Sequence, residues 1–344
     1  MASSTAPEPG YEVPPPDPAD LVAWPEDFGT RFAVFVDTEE EFDWHAPLTR
    51  DAHGVTAISA IPDAHRRFAD RGVPLTFMVD YPIATDPRAI AIVNDALADG
   101  VSAVGTQLHA WVNPPFEEPL TPANSYAGNL PPTLEAAKLD ALTDAITSAF
   151  GAAPRAYRAG RYGIGPATAA LLVARGYRLD SSMRARYSYV GDGGPDFRAI
   201  GNHAFRIGDL VELPLTTAFT GLAGRGGNRL YERLGMVPKG RGLFARAGLL
   251  SRVALTPEDM PLGDALEAVA VAVGEGVRVL NFSFHSPSLV PGHTPYVRDA
   301  TDLAAFHHWW DVMIEDLGRR GVCAVSLDEL IVASRALPPA PGIS

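Results

Sequence analysis

The sequence predicts an α/β fold in which parallel strands are joined by helices. Short apolar runs rich in Val, Phe and Leu alternate with stretches whose apolar residues recur at helical spacing. Such an alternation is typical of βαβ units. About seven units follow one another, which favours a closed barrel, although an open sheet has the same periodicity. The composition, 344 residues with 47% hydrophobic and 20% charged, is that of a globular domain.

The elements follow from this alternation of apolar patterns. Compact runs bounded by turn residues predict strands, and helical periodicity predicts helices. The expected strands are 32–36, 73–79, 101–104, 156–157, 210–215, 277–283 and 322–326. The expected helices are 58–68, 89–98, 133–150, 166–175, 261–274, 299–319 and 327–336.

The pattern divides the chain into one domain with extensions. We expect a flexible, proline-rich segment at 1–28, a single barrel domain at 29–336 and a tail at 337–344. A segment rich in Gly and Arg interrupts the alternation at 217–253. It is either a lid that faces the substrate or a surface elaboration.

Charge and composition exclude several classes of partner. With 28 basic and 41 acidic residues, a net charge of −13, the chain has no electrostatic footprint for nucleic acid or an anionic membrane surface. No apolar run is long enough to span a membrane.

The single cysteine, Cys323, excludes an intramolecular disulfide and a multi-cysteine zinc site. The N-terminus lacks the pattern of a secretory signal, so we expect a cytoplasmic protein. Nothing in the sequence predicts the oligomeric state.

Carboxylates cluster directly after the first expected strand. Asp37 and Glu39 are two residues apart on extended chain and are expected to project to one side, where one could bind a divalent metal and the other act as a base. Glu40, Glu41 and Asp43 are expected to belong to a solvated loop. The bland alternative is that the whole cluster is such a loop.

Other chemically capable side chains also follow apolar runs. They are His109, Arg158, Arg161, Asp180 and His285. Each alone has a structural interpretation: a satisfied core histidine, for example, or a surface arginine. Their shared position at strand ends favours a catalytic site, because chemistry in β/α barrels collects at the carboxyl ends of the strands.

In this order the motifs resemble those of the polysaccharide deacetylases of the NodB-homology type, carbohydrate esterase family 4, and within it the WalW-like branch. The resemblance covers about residues 30–335. It implies a distorted (β/α)7 barrel and a hydrolase that removes acetyl groups from N-acetylated amino sugars or polysaccharide precursors. It also implies a divalent metal: zinc, or alternatively cobalt or nickel.

The resemblance assigns the metal site and the base. Its first motif is similar to Asp37-Thr38-Glu39, which makes Asp37 the base and Glu39 a metal ligand, although the altered spacing allows the two roles to be exchanged. Its second motif makes His109 and Asn113 metal ligands, with Asn113 at the place of the family's second histidine.

The remaining motifs supply the other roles. The resemblance makes Arg158 the residue that orients the base, Asp180 the acid that supports Arg158, and His285 the general acid. A backbone N–H near Tyr162 would hold the oxyanion. Substrate contacts are expected from aromatic and basic residues, namely Trp111, Tyr162 and Arg161.

Two other functions remain open at this point. One keeps the site but changes the substrate to a small amide or another C–N compound that is not a sugar. The other is a catalytically silent barrel that binds carbohydrate, which the asparagine at position 113 motivates.

Overall fold

The structure, a computed structural model, describes residues 10–224, 227–237 and 239–335. It is a mixed α/β fold. The strands are β1 (Arg31–Thr38), β2 (Leu75–Val79), β3 (Ala103–Leu108), β4 (Ala156–Ala159), β5 (Leu179–Asp180), β6 (Phe205–Ile207), β7 (Leu210–Glu212), β8 (Thr217–Thr220), β9 (Ser251–Ala254), β10 (Val279–His285) and β11 (Cys323–Ala324).

The helices connect successive strands. They are α1 (Ile61–Ala69), α2 (Tyr81–Thr85), α3 (Pro87–Leu97), α4 (Pro132–Phe150), α5 (Thr168–Ala174), α6 (Gly227–Gly235), α7 (Gly240–Arg246), α8 (Leu262–Gly274), α9 (Ala300–Arg319) and α10 (Leu327–Arg335). Short 3-10 helices occupy several of the loops. Within the described ranges, no helix combines the length and the apolar character that crossing a membrane requires.

Seven parallel strands form the main sheet in the spatial order β10, β1, β2, β3, β4, β5, β7. β6 extends one edge antiparallel to β7, and β11 pairs with the start of β1. The two edges meet beyond β7, where the Asn281 side chain donates to the Leu213 carbonyl at 2.9 Å. There the Thr216 N–H also donates to the Asn281 carbonyl at 3.4 Å. These bonds join the edges of the curled sheet, and the predicted distorted (β/α)7 barrel is confirmed.

The two-residue period of the strands sorts side chains between two cores. On β1, Val34 and Val36 face the helices, whereas Ala33 and Phe35 belong to the second cluster, which α10 covers. On β10, Phe282 faces the helices in the same way. Because alternate residues share a face, the inward series of β1 continues from Phe35 to Asp37. Residues 37, 107, 158, 281 and 285 all line one cavity at the carboxyl ends of these strands.

Several elements differ from the sequence prediction. β3 begins at Ala103 and extends to Leu108, beyond the expected strand 101–104, because its inward positions carry the polar Gln107 and the small Gly105 and therefore break the apolar run. The short elements α2, β5, β6, β8 and β9 and the helices α6 and α7 are not predicted by the periodicity. α2 and these strands have five residues or fewer, which is too short for a periodic pattern to be recognised.

The predicted flexible segment 1–28 differs from the structure over residues 10–28. Val13 joins the main core, and Val22 and Phe28 join the second cluster. The Val13 and Val22 N–H groups donate to the Asp196 and Ala204 carbonyls. Spaced apolar residues therefore dock this proline-rich segment on the barrel. Residues 1–9 and the predicted tail 337–344 lie outside the described residues.

The expected insertion at 217–253 is a unit with a small apolar cluster of its own, although its Ala218 and Val253 belong to the main core. β8 and β9 pair antiparallel, and α6 and α7 lie between them in the chain. Phe219, Leu234 and Leu250 form a separate apolar cluster. The described part of this unit contributes no residue to the cavity wall, but its flanking residues Leu215 and Ala254 do. The unit is thus connected to the barrel by residues of the cavity wall.

Candidate functional site

A cavity of about 580 Å³ opens at the carboxyl ends of the barrel strands. Its floor is polar and its rim is aromatic. The polar residues on the wall include Asp37, Glu39, Gln107, His109, Arg158, Arg161, Arg184, Glu258, Asn281 and His285. Strand ends therefore bring together most of the predicted site residues. Asn113 and Asp180 do not line the cavity.

Asp37 and Arg158 form a buried ion pair at the ends of β1 and β4. Nη1 of Arg158 donates to Oδ1 of Asp37 at 2.6 Å, and the two side chains are 1% and 3% exposed. Nε and Nη2 of Arg158 donate to the carbonyl and the Oγ of Ser181, each at 3.0 Å. The guanidinium is held on two sides, and it in turn fixes the orientation of the Asp37 carboxylate.

His285 lies on the other side of Asp37 and is held by Glu258. Its Nε2 lies 3.7 Å from Oδ2 of Asp37, and its Nδ1 lies 2.7 Å from Oε2 of Glu258. Burial opposes a charged imidazole, but the carboxylates of Glu258, Glu39 and Asp37 outweigh it and raise the pKa of His285 to about 10. His285 is consequently a cation at neutral pH, with Nε2 directed towards Asp37.

The sequence prediction missed Glu258. Its Oε1 accepts hydrogen bonds from the His285 backbone N–H and the Ser288 hydroxyl, so both carboxylate oxygens are used. Burial would raise the pKa of Glu258, but His285 and these donors lower it below the usual value. Glu258 follows the turn after β9 rather than a strand of the main sheet, so the strand-end pattern could not point to it.

Glu39 and His109 face each other on the floor. Nε2 of His109 lies 3.5 Å from Oε2 of Glu39, and the Gln107 amide donates to the same oxygen at 3.3 Å. Oε1 of Glu39 and Oε1 of Gln107 are buried without a hydrogen-bond partner among the described residues. Two unpaired acceptor atoms beside an imidazole are donors that suit a divalent cation.

The distance between His109 and Glu39 and the protonation of both side chains are also compatible with a bound cation. Zinc bonds of about 2.0–2.2 Å in tetrahedral geometry place neighbouring ligand atoms roughly 3.3–3.6 Å apart, close to the observed separation of His109 and Glu39. Burial lowers the pKa of His109 to about 4, so its imidazole is neutral and keeps a lone pair. Burial also raises the pKa of Glu39 well above its usual value. A nearby cation would favour the Glu39 carboxylate.

Glu40 fixes the other side of His109. Its Oε2 lies 2.7 Å from Nδ1 of His109, and its Oε1 accepts from Nε1 of Trp111 at 2.7 Å. A proton on Nδ1 leaves Nε2 free to act as a ligand. The prediction that Glu40 belongs to a solvated loop is wrong, since Glu40 is 0% exposed. No sequence pattern separates Glu40 from the exposed Asp43.

Glu40, Asp80 and His109 form a second group with metal-ligating atoms close together. Each carboxylate oxygen of this group already has a nearby donor. Oδ2 of Asp80 accepts from the Glu40 N–H at 2.7 Å, and its Oδ1 accepts from the Ile83 N–H at 2.9 Å. The group is therefore satisfied by the protein itself, in contrast to Glu39 on the cavity side of the same imidazole.

The structure does not place Asn113 with Glu39 and His109 on the cavity wall. Its side-chain amide donates to the carbonyls of Pro114 and Lys138 at 2.7 and 2.8 Å. These bonds tie the loop after β3 to α4. Position 113 is held close to His109, because its backbone N–H donates to the His109 carbonyl at 3.1 Å. Its amide N–H groups serve the loop, whereas its Oδ1 is buried without a hydrogen-bond partner among the described residues.

Asp180 supports the Arg158 strand through a hydroxyl rather than by direct contact. It accepts from Oγ of Ser182, which in turn accepts from the Ala159 N–H at 2.8 Å. Burial raises the pKa of Asp180 to about 6, against the lowering effect of hydrogen bonds from Ser182 and of the Arg158 charge. Leu179 faces the interior cluster, so the strand alternation directs Asp180 away from the cavity.

The predicted substrate contacts are all on the cavity wall. Trp111 is 1% exposed and stacks on His109 with ring centroids 4.3 Å apart, so it mainly supports the imidazole. Arg161 and Tyr162 are half-buried and have left-handed backbone angles, with φ of 55° and 61°. Non-glycine residues rarely adopt this conformation, and it marks a locally imposed turn after β4.

The comparisons with known proteins support the fold and no finer property. No family model matches the chain, and no curated protein matches it. A solved structure named "putative polysaccharide deacetylase", from Mycobacterium smegmatis, is similar at 17% identity and a TM-score of 0.54, over 95% of this chain and 99% of that one. This likeness agrees with the barrel that the sequence resemblance implies.

Two further solved structures have lower TM-scores. A family 4 carbohydrate esterase from Streptomyces lividans, in complex with acetate, has 13% identity and a TM-score of 0.42 over 90% of this chain and 98% of that one. A "probable polysaccharide deacetylase" from Pseudomonas aeruginosa PAO1 has 13% identity and a TM-score of 0.47 over 88% and 89%.

Proposed function

We propose that the chain is a polysaccharide deacetylase of carbohydrate esterase family 4, which hydrolyses the N-acetyl group of an amino sugar with the aid of a divalent metal. One observation carries the proposal. Asp37 lies between the cations Arg158 and His285, on a cavity floor that also holds Glu39 and His109. This arrangement supports a base, an acid and a metal-binding pair within one cavity, as amide hydrolysis by this route requires.

The contacts support different roles for Asp37 and Glu39. Asp37 is oriented by Arg158 and has one oxygen directed towards His285, which suits a base that accepts a proton from water. Glu39 faces His109 and has an unpaired oxygen, which suits a metal ligand. The proposal therefore keeps Asp37 as the base and Glu39 as the ligand, and it does not exchange them.

Glu39 and His109 would hold the cation, with the amide oxygen of Gln107 beside them. Zinc fits the imidazole and carboxylate donors, and cobalt and nickel accept the same set. When bound, the metal would supply Lewis-acid polarisation of the acetamide carbonyl and a more acidic water. Glu40 contributes by fixing the Nδ1 proton of His109, which keeps Nε2 directed at Glu39.

His285 suits the role of the general acid. An amine is a poor leaving group until its nitrogen is protonated, and a histidine with a pKa of about 10 carries the required proton at neutral pH. Nδ1 is bound to Glu258, so the proton on Nε2 is the one available to the substrate. A backbone N–H near Tyr162 would hold the oxyanion.

The experiment measures acetate release from N-acetylhexosamines, together with metal content. We expect wild type with added zinc, cobalt or nickel to release acetate, and Asp37→Asn to lose activity while retaining metal. Glu39→Gln and His109→Ala should lose both. Asp63→Asn, at an exposed position on α1, is the matched control and should behave as wild type.

The contacts of Asn113 favour a second candidate, a catalytically silent barrel that binds carbohydrate. With Asn113 bound to two carbonyls, the described cavity offers fewer strong metal ligands than the motif implies. If this candidate is right, the purified protein contains no metal, binds sugars and releases no acetate.

Acetate release from a small non-sugar amide alone would instead indicate the amidase alternative.

A further inference from the structure

Arg184 is a charged group on the cavity wall without a protein counter-ion. It follows β5 and is half-buried. Its Nε is inaccessible to solvent and has no hydrogen-bond partner among the described residues. No described carboxylate oxygen lies within 4.0 Å of its nitrogens, in contrast to Arg158, which is paired with Asp37.

Aromatic rings hold Arg184 instead of acids. Its guanidinium carbon lies 3.9 Å from the ring centroid of Tyr187 and 5.7 Å from that of Tyr162. Cation–π contacts stabilise such a group by about 0.5–2 kcal/mol, and the Tyr189 hydroxyl also lies within reach of its N–H donors. The rings therefore orient the guanidinium, but they supply no negative charge to balance it.

A second arginine without a carboxylate partner lines the same cavity. Arg161 lines the cavity, lies 4.3 Å from the ring centroid of Tyr126 and donates to Oγ of Ser125, with no described carboxylate within 4.0 Å. Arg252 lies 3.5 Å from the ring centroid of Tyr187, but it does not line the cavity and its Nη1 donates to the Arg186 carbonyl at 3.0 Å. Arg184 and Arg161 are thus the two guanidinium groups of the described cavity wall that have no carboxylate partner within 4.0 Å.

The acids of the cavity do not neutralise this region. Asp37 is bound to Arg158, and Glu258 is bound to His285. Glu39 faces His109. The remaining acids on the wall, Asp43 and Asp192, form no ion pair with Arg161 or Arg184 within 4.0 Å. Partly buried charges normally have partners in proteins, so an unpaired set facing a cavity indicates an anion supplied by a ligand.

We propose that Arg184 and Arg161 form a subsite for an anionic substituent, a carboxylate or a phosphate, on the sugar substrate. The proposal rests on the proposed function, since it names the class of sugar that the site would take. Guanidinium groups match both anions because their planar N–H forks bind two oxygens at once. Because the chain has a net charge of −13, such cations would offset its repulsion of an anionic substrate.

The experiment measures equilibrium binding, which does not depend on turnover. Calorimetry with the Asp37→Asn protein compares a neutral N-acetylhexosamine with the same sugar carrying a 6-carboxylate or a 6-phosphate. We expect the anionic sugars to bind about tenfold more tightly or better. The two anionic ligands distinguish a carboxylate source from a phosphate source, and preference for either one supports the subsite.

Arg184→Met in the same background should abolish the preference, and Arg161→Met should reduce it. The urea midpoint of each variant should match that of the Asp37→Asn protein, which shows that the variant is folded. Arg66→Met, at an exposed position on α1, is the control and should keep the full preference. Arg184→Lys should restore part of it, because a lysine supplies charge without the fork.

Equal affinity for neutral and anionic sugars would overturn the subsite. So would a preference that survives Arg184→Met, or one that Arg66→Met reduces equally, since the effect would then come from the overall charge. Absence of acetate release from every sugar would count against the proposed function alone, because the binding preference is read separately.

Discussion

Nδ1 of His285 lies 2.7 Å from Oε2 of Glu258, and this contact sets the charge of the imidazole that faces Asp37. The two residues come from different parts of the chain. Glu258 follows β9, the last strand of the 217–253 unit, whereas His285 ends β10. The chain therefore passes directly from this unit to a residue of the site, although the unit's own described residues do not line the cavity.

Glu258→Gln should shift the pH dependence of activity. Removing the carboxylate lowers the pKa of His285 from about 10, so the imidazole loses its proton at lower pH. We expect the basic limb of the profile of kcat against pH to move to lower pH. At pH values above the shifted limb, kcat should be about 10²-fold lower or more than that of wild type. Acetate release across pH 5 to about 10 measures this. Asp259→Asn, at the exposed neighbouring acid, should leave the limb in place.

Arg158→Met should destabilise the protein as well as inactivate it. The substitution leaves the Asp37 carboxylate buried without its partner, a change that costs about 3–5 kcal/mol in similar cases. Urea denaturation measures the free energy of unfolding, and the double variant with Asp37→Asn should recover part of the loss. Arg155→Met breaks an exposed pair with Asp328 and should cost about 1 kcal/mol or less. Equal losses in the two arginine variants would contradict the importance of the buried pair.

Glu40→Gln should weaken metal binding without removing a ligand. A single amide oxygen cannot accept from both His109 and Trp111, so the imidazole loses its fixed tautomer and orientation. Changes to such supporting residues typically lower metal affinity about 10–100-fold. Competition with a chelator measures the affinity. Glu117→Gln, at an exposed position, is the control. Complete loss of metal would instead indicate that Glu40 is itself a ligand.

Much of the barrel could be predicted because its signal is local. The inward and outward alternation of Ala33 to Val36 gives a strand, and a strand end gives the position of Asp37. The side chains that act over a distance in sequence could not be found this way. Glu258 lies 27 residues from His285, and Glu40 lies 69 residues from His109. Their roles depend on which carboxylate the fold buries.

The burial of Glu40 beside the exposed Asp43 illustrates this limit. Both are acids of one loop, and the sequence around them does not distinguish one from the other. Only the approach of β3, which brings His109 and Trp111, decides that Glu40 is enclosed. The cytoplasmic location and the WalW-like branch stay predictions, because they concern properties that the fold does not address.

Glu135 should make stability depend on pH. Burial raises the pKa of this α4 residue from 4.5 to about 7, against a hydrogen bond from Thr168. Between these values the folded protein keeps a proton that the unfolded chain has lost, so the free energy of unfolding falls as pH rises, by at most about 3 kcal/mol. Urea denaturation at pH 5 and above pH 7 should show this fall in wild type and a smaller one in Glu135→Gln. The exposed control Glu315→Gln should match wild type.

Asn113→Ala should separate a structural role from a metal-binding role at the position where the motif expects a ligand. Two carbonyls, of Pro114 and Lys138, lose their donor, which should lower the free energy of unfolding by about 1–3 kcal/mol. Metal content should remain that of wild type, because the Asn113 side chain does not line the cavity. Elemental analysis beside His109→Ala, which should lose metal, makes the comparison. Loss of metal from Asn113→Ala with unchanged stability would show that the asparagine is a ligand, because only direct coordination would remove the ion without loosening the loop.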